Sequence, residues 1–202
     1  MDITPQQLTD ELRGLFRGRL ALDELSRGLY ATDASPFEVN PFGVAFPKDA
    51  EDLSALVRYC HEHTVAIIPR GAGTGVAGES LGPGLVVDLT VNFRGILDIT
   101  ADTVTVEPGV VLTELNAALA RHGRRLAPDP ASRASCTLGG MIATDASGGN
   151  CFKFGYTRDY VLGLDVVWDN GEPGVVGRSG NGAERQSGDR TRELATATAD
   201  LL

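Results

Sequence analysis

Long apolar runs are missing from this 202-residue chain. None approaches the ~18 residues of a membrane-spanning helix, so no span is expected. A basic excess is missing too. With 18 Lys and Arg against 27 Asp and Glu, the net charge is −9. Non-specific binding to nucleic acid needs a basic surface, so it is not expected either. Cysteine is scarce: Cys60, Cys136 and Cys151 are odd in number and widely spaced. They point to reduced thiols in a cytoplasm rather than to a disulfide framework. The amino-terminal MDITPQQLTDELRG has no basic segment followed by an apolar one, so no signal peptide is evident. There is no Cys-x-x-Cys, no iron–sulfur cysteine run and no His pair at i,i+4, which opposes a metal centre. At 42% hydrophobic residues, the chain has ample material for one globular core, with room for two lobes.

Glycine is what the chain has in quantity, and one stretch concentrates it. In Val65–Ser80, VAIIPRGAGTGVAGES, the apolar run Val65–Ile68 reads as a buried strand. Pro69 and Arg70 follow, then Gly71, Gly73, Gly75 and Gly78, with Ala72 and Thr74 between them. Glycine accepts φ > 0 and lets another group approach the backbone. A loop of this kind, straight after a strand, can turn several consecutive N–H groups towards one point, and such a nest binds phosphate oxygens. The first expectation is therefore a pyrophosphate cradle, with a flexible surface turn as the competing reading. Gly73-Thr-Gly75-Val-Ala-Gly78 matches G-x-G-x-x-G, but a Rossmann fingerprint must open a helix. Gly82, Pro83 and Gly84 forbid one, and Leu85–Leu89 reads as the next strand. There is no Gly-Lys-Ser/Thr, so a Walker loop is excluded too. The phosphates would be held by loop amides, with help from Arg70.

Around this loop the chain reads in order. A helix is expected over 4–29, weakened by Gly14 and Gly18, then a loop over 30–41 and a strand over 42–46. A helix over 49–63 leads to the strand 65–68 as a parallel β-α-β unit. Strands are expected over 85–89, 95–99 and 103–107. Thr113 is placed to cap a helix over 114–122, and Gly123 to end it. Pro128-Asp-Pro130 reads as a rigid turn, Ala146–Gly149 as a second glycine-rich turn, and 161–168 as a strong strand. Asp169-Asn-Gly171 suggests a hairpin returning over 174–176. Residues 177–190 read as a polar linker and 191–202 as a terminal helix.

Several segments together carry a family likeness: Tyr30–Ser35, Val44–Pro47, Pro69–Ser80, Val106–Gly109, Pro128–Pro130, Cys136–Gly140, Ala146–Gly148 and Val161–Val167. In this order and spacing the chain resembles the FAD-binding domain of the p-cresol methylhydroxylase and vanillyl-alcohol oxidase type. Within that type it is most similar to the flavin subunit of glycolate oxidase and to cytochrome-linked D-lactate dehydrogenases. The resemblance implies an α+β fold with FAD between two lobes, at about 40–100 and 101–176, behind a lead-in over 1–39. It implies that Pro69, Arg70, Gly71, Ala72, Gly73 and Thr74, with Gly75 and Gly78, hold the pyrophosphate. Pro128, Ser135, Gly139, Gly140, Ser147 and Gly148 would line the rest of the cofactor.

Some relatives carry in the first loop a histidine that bonds covalently to the flavin. Thr74 stands at that position here, so noncovalent FAD is expected. Asp145 stands where close relatives often have asparagine; a carboxylate beside a flavin would disfavour its anionic reduced form, unless it points to solvent. Neither the relatives' Ser-Glu-Gly-Thr-type segment nor a cap domain with its histidines is found, so the chain is expected to be truncated or one piece of a split protein. The expected activity is that of a flavin-dependent oxidoreductase on a 2-hydroxy acid such as D-lactate or glycolate, with the substrate held by the missing cap. The electron acceptor would be a cytochrome, a quinone or an iron–sulfur protein. The alternative is an FAD-binding module with no turnover of its own, and the loop context opposes an NAD-dependent enzyme. No catalytic base is assigned: His61, His63 and His122 all read as surface residues at helix ends, Asp159 and Asp165 as turn or solvent contacts, and no nucleophile triad is evident.

Overall fold

A computed structural model of the chain describes residues 3–177. The linker and helix expected beyond Gly177 lie outside the described residues. The first helix, α1 (Pro5–Glu11), starts at Thr4, whose hydroxyl accepts the Gln7 N–H while the Gln7 side chain returns to the Thr4 N–H. Pro5 costs nothing at the first helical position, where its missing N–H would have no partner anyway.

The helix expected over 4–29 is not continuous. Gly14 sits at φ +86, outside helical geometry, and ends the pattern. The chain instead forms β1 (Arg19–Ala21), then α2 (Glu24–Leu29), capped by Asp23. At Gly18 a side chain would strike Phe46 O and the Phe16 ring, so glycine is needed where the chain crosses the sheet edge.

β2 (Gly43–Phe46), α3 (Ala50–Glu62), β3 (Ile67–Arg70) and β4 (Leu85–Asp88) complete a four-stranded sheet in the order β1-β2-β4-β3. β2 and β3 both run parallel to β4, as the β-α-β unit requires, and β4 lies between them. β1 pairs antiparallel with β2. The expected strand 65–68 begins two residues later, because the Val65 N–H still closes on the Cys60 carbonyl of the helix end (2.8 Å). β2 and β4 are buried along their whole length, which explains their unbroken apolar runs. Successive residues serve opposite faces. Ala45, Leu85 and Val87 pack with Leu8, Leu12, Phe16, Leu56, Tyr59 and Cys60, while Val44, Phe46 and Val86 pack with Ala21, Tyr30 and Ile68. Burial of Cys60 pushes its thiol up to about 12.

A second core follows. β5 (Ile96–Ile99) and β6 (Val104–Val106) form an antiparallel pair, and α4 (Leu112–Ala120) and α5 (Leu138–Ala143) pack against it. Val110, Leu112, Leu115, Leu119, Cys136, Leu138 and Met141 are buried there. The cap expected at Thr113 is not formed. α4 starts at Leu112 without a side-chain cap, because the Leu112 N–H donates to Cys136 O (3.2 Å) in a neighbouring segment. Gly123, at φ +66, ends the helix as expected.

A short helix α6 (Cys151–Phe154) and a turn of 3-10 helix at Thr157–Tyr160 were not foreseen. Last comes the expected hairpin, β7 (Gly163–Val167) and β8 (Pro173–Gly177). Its tip, Gly171 at φ +81, lies against Ser54 O and Arg58 of α3, which leaves no room for a side chain. The architecture is the expected α+β.

One buried carboxylate, in the first turn of α3, fastens the amino-terminal turn to the start of that helix. Asp52 is 1% exposed and accepts the N–H groups of Arg17 (2.7 Å) and Lys48 (2.9 Å). Asp52→Ala strands both donors and is expected to cost about 3 kcal/mol in urea unfolding. A loss below about 1 kcal/mol would show that the two donors find other partners.

Candidate functional site

The loop 71–78 leaves the carboxyl end of β3 at the sheet edge where Arg70 and Asp88 are register partners. No helix occurs between 71 and 84, which removes the Rossmann reading on geometry. Arg70 is 8% exposed. Its guanidinium donates to Thr32 O (2.9 Å) and Ser80 O (3.4 Å) and lies 5.5 Å from the Tyr30 ring centre. Gly73, at φ +64, passes directly over that guanidinium, and a Cβ there would collide with it. Arg70 thus ties both ends of the loop to Thr32 of the lead-in, with Gly73 packed against it.

A second set of contacts comes from residues 30–37, which the sequence marks only as a loop. The Tyr30 hydroxyl donates to Asp88 Oδ2 (2.5 Å), and Asp88 Oδ1 accepts the Thr90 N–H (2.6 Å) and hydroxyl (2.7 Å). Burial, and then the Asp88 acceptor, push the Tyr30 phenol well above its ordinary value. Ser80 Oγ donates to Asp33 Oδ2 (2.9 Å), and the Ala34 N–H donates to Gly73 O (3.0 Å). The Phe37 ring covers Gly78, at φ +78, where a Cβ would come within 2.8 Å of it. Residues 30–37 therefore brace the loop at both ends and in the middle. Ser80 also falls in a Gly-x-Ser-x-Gly run, 78–82, that the sequence reading passed over. It is not a nucleophile elbow, because no helix follows and its hydroxyl is taken by Asp33.

The braced loop leaves its amides open. Among the described residues, the N–H groups of 72–76 donate to no backbone or side-chain acceptor, while the Ala77 N–H donates to Glu79 (3.1 Å). Successive unpaired amides with alternating glycines are what an anion-binding nest requires. Thr74 and Gly75 lie half-buried in this run, and Ala72 and Pro69 are exposed beside it.

The second glycine-rich region meets the first at Gly71. A Cβ there would be 2.5 Å from Thr137 Oγ1 and 4.0 Å from Gly140 Cα, so only glycine lets the start of α5 approach. Thr137 caps α5 by accepting the Gly140 N–H (3.3 Å). Gly139 donates to Pro108 O (2.8 Å) and packs on that proline ring. The 128–130 turn and the 146–149 turn form one unit. The Asp129 N–H donates to Ser147 O (2.9 Å), and Gly148, at φ +90, lies on the Asp129 carbonyl. Pro128 is buried beneath them. Ser135 stands apart on an exposed turn, with only a backbone bond to Ser132 O (2.8 Å).

Asp145 does not point to open solvent. Its carboxylate pairs with Arg158 Nε (2.6 Å) and accepts the Arg158 N–H (3.0 Å). His63 stacks on Tyr59 (4.2 Å between ring centres) beside Glu11, and His61 is exposed on the last turn of α3. Both lie at the end of the sheet opposite the loop, because α3 feeds the start of β3. His122 is exposed just past α4. Among the described residues no group of His, Cys, Asp and Glu could hold a metal ion, and no helix is long and apolar enough to cross a membrane.

Comparison with known proteins adds to this geometry. A family model described as an FAD binding domain matches residues 41–176. The chain is 41% identical to D-2-hydroxyglutarate dehydrogenase of Pseudomonas putida over 162 residues, 78% of this chain and 16% of that protein. It is 37% identical to glycolate oxidase subunit GlcD of Bacillus subtilis over 150 residues, 72% of this chain and 32% of that one. It is 34% identical to the mitochondrial D-lactate dehydrogenase [cytochrome] of Arabidopsis thaliana over 174 residues, 83% of this chain and 30% of the other. The chain thus spans 16% to 32% of the length of these curated relatives. Among solved structures, an alkyldihydroxyacetonephosphate synthase superposes with a TM-score of 0.75 at 25% identity, covering 88% of this chain and 39% of that one. The Physcomitrella patens BBE-like 1 protein gives 0.73 at 22% identity, over 85% and 38% of the two chains, a likeness of fold alone.

The brace has a pH signature. Burial pushes the Asp33 carboxyl up, but hydrogen bonds from Ser35 and Ser80 and the nearby Arg70 charge outweigh it and hold the carboxyl below its ordinary value. A depressed folded value contributes stability that is complete above the unfolded value, about 3.9, and is lost as pH falls through the folded one. Asp33→Asn removes that contribution. Urea midpoints measured from about pH 5 down to about pH 2 should fall more steeply for the parent than for the variant. Parallel curves would contradict the assignment.

Proposed function

The chain belongs to the FAD-binding domain family, and we propose that it supplies the cofactor-binding part of a flavin-dependent oxidoreductase acting on a 2-hydroxy acid such as D-lactate or glycolate. The relatives named for D-2-hydroxyglutarate, glycolate and D-lactate support that substrate class. The observation that carries the reading is the run of open amides at 72–76, fixed in place by Arg70 and the 30–37 brace. In this reading Pro69, Arg70, Gly71, Ala72, Gly73, Thr74, Gly75 and Gly78 form the pyrophosphate site, with Arg70 shaping the loop and the amides donating to the anion. Pro128, Ser135, Gly139, Gly140, Ser147 and Gly148 line the remainder.

The glycines keep the site's shape: a Cβ at Gly71, Gly73 or Gly148 would collide with Thr137, the Arg70 guanidinium or the Asp129 carbonyl. Bound FAD supplies the acceptor for the hydride leaving the carbon that bears the substrate hydroxyl. Thr74 offers a hydroxyl where covalent relatives have histidine, so the cofactor is held noncovalently. The lobes at about 40–100 and 101–176 close on it, with β5 packing on the second. The 2-hydroxy acid is held by a cap beyond these residues, and electrons leave to a cytochrome, quinone or iron–sulfur acceptor. The free thiols Cys60, Cys136 and Cys151 support a cytoplasmic setting.

A second reading is an FAD-binding module without turnover of its own. The positions of His61 and His63, at the end of the sheet opposite the loop, favour it for the isolated chain, because neither can take the substrate's hydroxyl proton there.

Calorimetric titration with FAD tests the proposal. Binding at micromolar or weaker affinity, about −8 kcal/mol or less in magnitude, is expected, with all flavin released on acid precipitation. Gly73→Val places a branched side chain at positive φ against the Arg70 guanidinium and should weaken binding at least tenfold while leaving the circular dichroism unchanged. Dye reduction with D-lactate or glycolate by this chain alone should be undetectable. Absence of FAD binding would overturn the proposal, retained flavin in the acid pellet would overturn the noncovalent linkage, and turnover would overturn the second reading.

A further inference from the structure

Within the site just proposed, one side chain has a role that neither the glycine pattern nor the family assigns. Residues 71–78 carry no charge of their own, and the acid that follows them is Glu79. Its side chain is exposed yet folds back over the loop. Glu79 Oε2 accepts the Ala77 N–H at 3.1 Å. Its Oε1 rests against the backbone of Gly75, where a Cβ would collide with the carboxylate. Gly75 lies inside the run of open amides, 72–76. A carboxylate oxygen accepting a loop N–H offers the nest what a phosphate oxygen would offer.

We infer that Glu79 is a resident anion of the phosphate loop: its carboxylate holds the Gly75–Ala77 arch while the loop is empty, competes with an incoming pyrophosphate, and so sets cofactor affinity. This rests on the loop being the pyrophosphate site. The physical reason is charge. A carboxylate already at the arch repels a second anion brought within a few ångström, a separation shorter than the ~8–10 Å over which salt screens exposed charges. The pyrophosphate must therefore displace the carboxylate or tolerate it, and either lowers affinity. The glycine at 75 lets this happen, since any side chain there would expel Glu79 from the arch.

Glu79→Gln separates this role from a structural one. Glutamine keeps the length and the acceptor for the Ala77 N–H but removes the charge. If Glu79 only stiffened the loop, the variant would bind FAD equally or more weakly. As a competing anion, its removal should tighten FAD about fivefold in calorimetric titration and tighten inorganic pyrophosphate by a similar factor. Glu24→Gln, on the exposed start of α2, controls for the loss of one negative charge anywhere on the surface and should leave both affinities unchanged. Parent binding with no gain in Glu79→Gln, or an equal gain in Glu24→Gln, overturns the inference and leaves the functional reading standing. If neither parent nor variant binds FAD or pyrophosphate, both fall together.

Discussion

A buried guanidinium governs the rest of this structure. Taking Arg70 out of water costs several kcal/mol unless its donors are met, and two backbone carbonyls, Thr32 O and Ser80 O, accept two of the five. The requirement is mutual. The carbonyls come from segments on either side of the glycine loop, so satisfying the charge also fixes where those segments sit. Gly73 must then cross over the guanidinium, which only a residue without a Cβ can do at φ +64. The Tyr30–Asp88 bond repeats the arrangement one strand away, tying the same lead-in to the end of β4. What looks like a flexible loop is held at several points, among them the Gly73 and Gly78 carbonyls, while its amides at 72–76 stay open.

This arrangement suits an acidic chain. At a net charge of −9, the surface as a whole repels a dinucleotide. Attraction must come from local dipoles, and oriented amides provide it without a free cation at the loop. The loop's arginine is turned inward to build the nest rather than outward to face the ligand. Charge elsewhere at the site is paired in the same way, as at Asp145 with Arg158 and Asp33 with Ser80 and Ser35.

Much of the fold was legible where a local signal sufficed. FGVAF and LVVDL announce β2 and β4 because strands covered on both faces have no polar side to interrupt them. The glycine loop was legible because Gly82, Pro83 and Gly84 exclude the helix that the competing motif needs. The insertion of β4 between β2 and β3 was not, since strand pairing is non-local. The first helix was overextended because Leu8, Leu12, Leu15 and Phe16 keep a helical period, although Leu15 proves 60% exposed and Gly14 breaks the chain between them. Thr113 was misread as a cap because the Leu112 amide finds its acceptor in a segment more than twenty residues away. The brace over 30–37 was invisible for a related reason. Its residues follow no period, and their partners, Arg70, Gly73, Gly78, Ser80 and Asp88, all lie far along the chain.

Amide hydrogen exchange, followed residue by residue with and without saturating FAD, tests most directly whether the open amides are the binding groups. The N–H groups of 72–76 have no acceptor among the described residues and should exchange fast in the free chain. With FAD they should slow by more than about tenfold, together with 146–149, while α2 at 24–29 stays unchanged. Bound FAD with undiminished exchange at 72–76 would contradict the assignment of the loop as the pyrophosphate site.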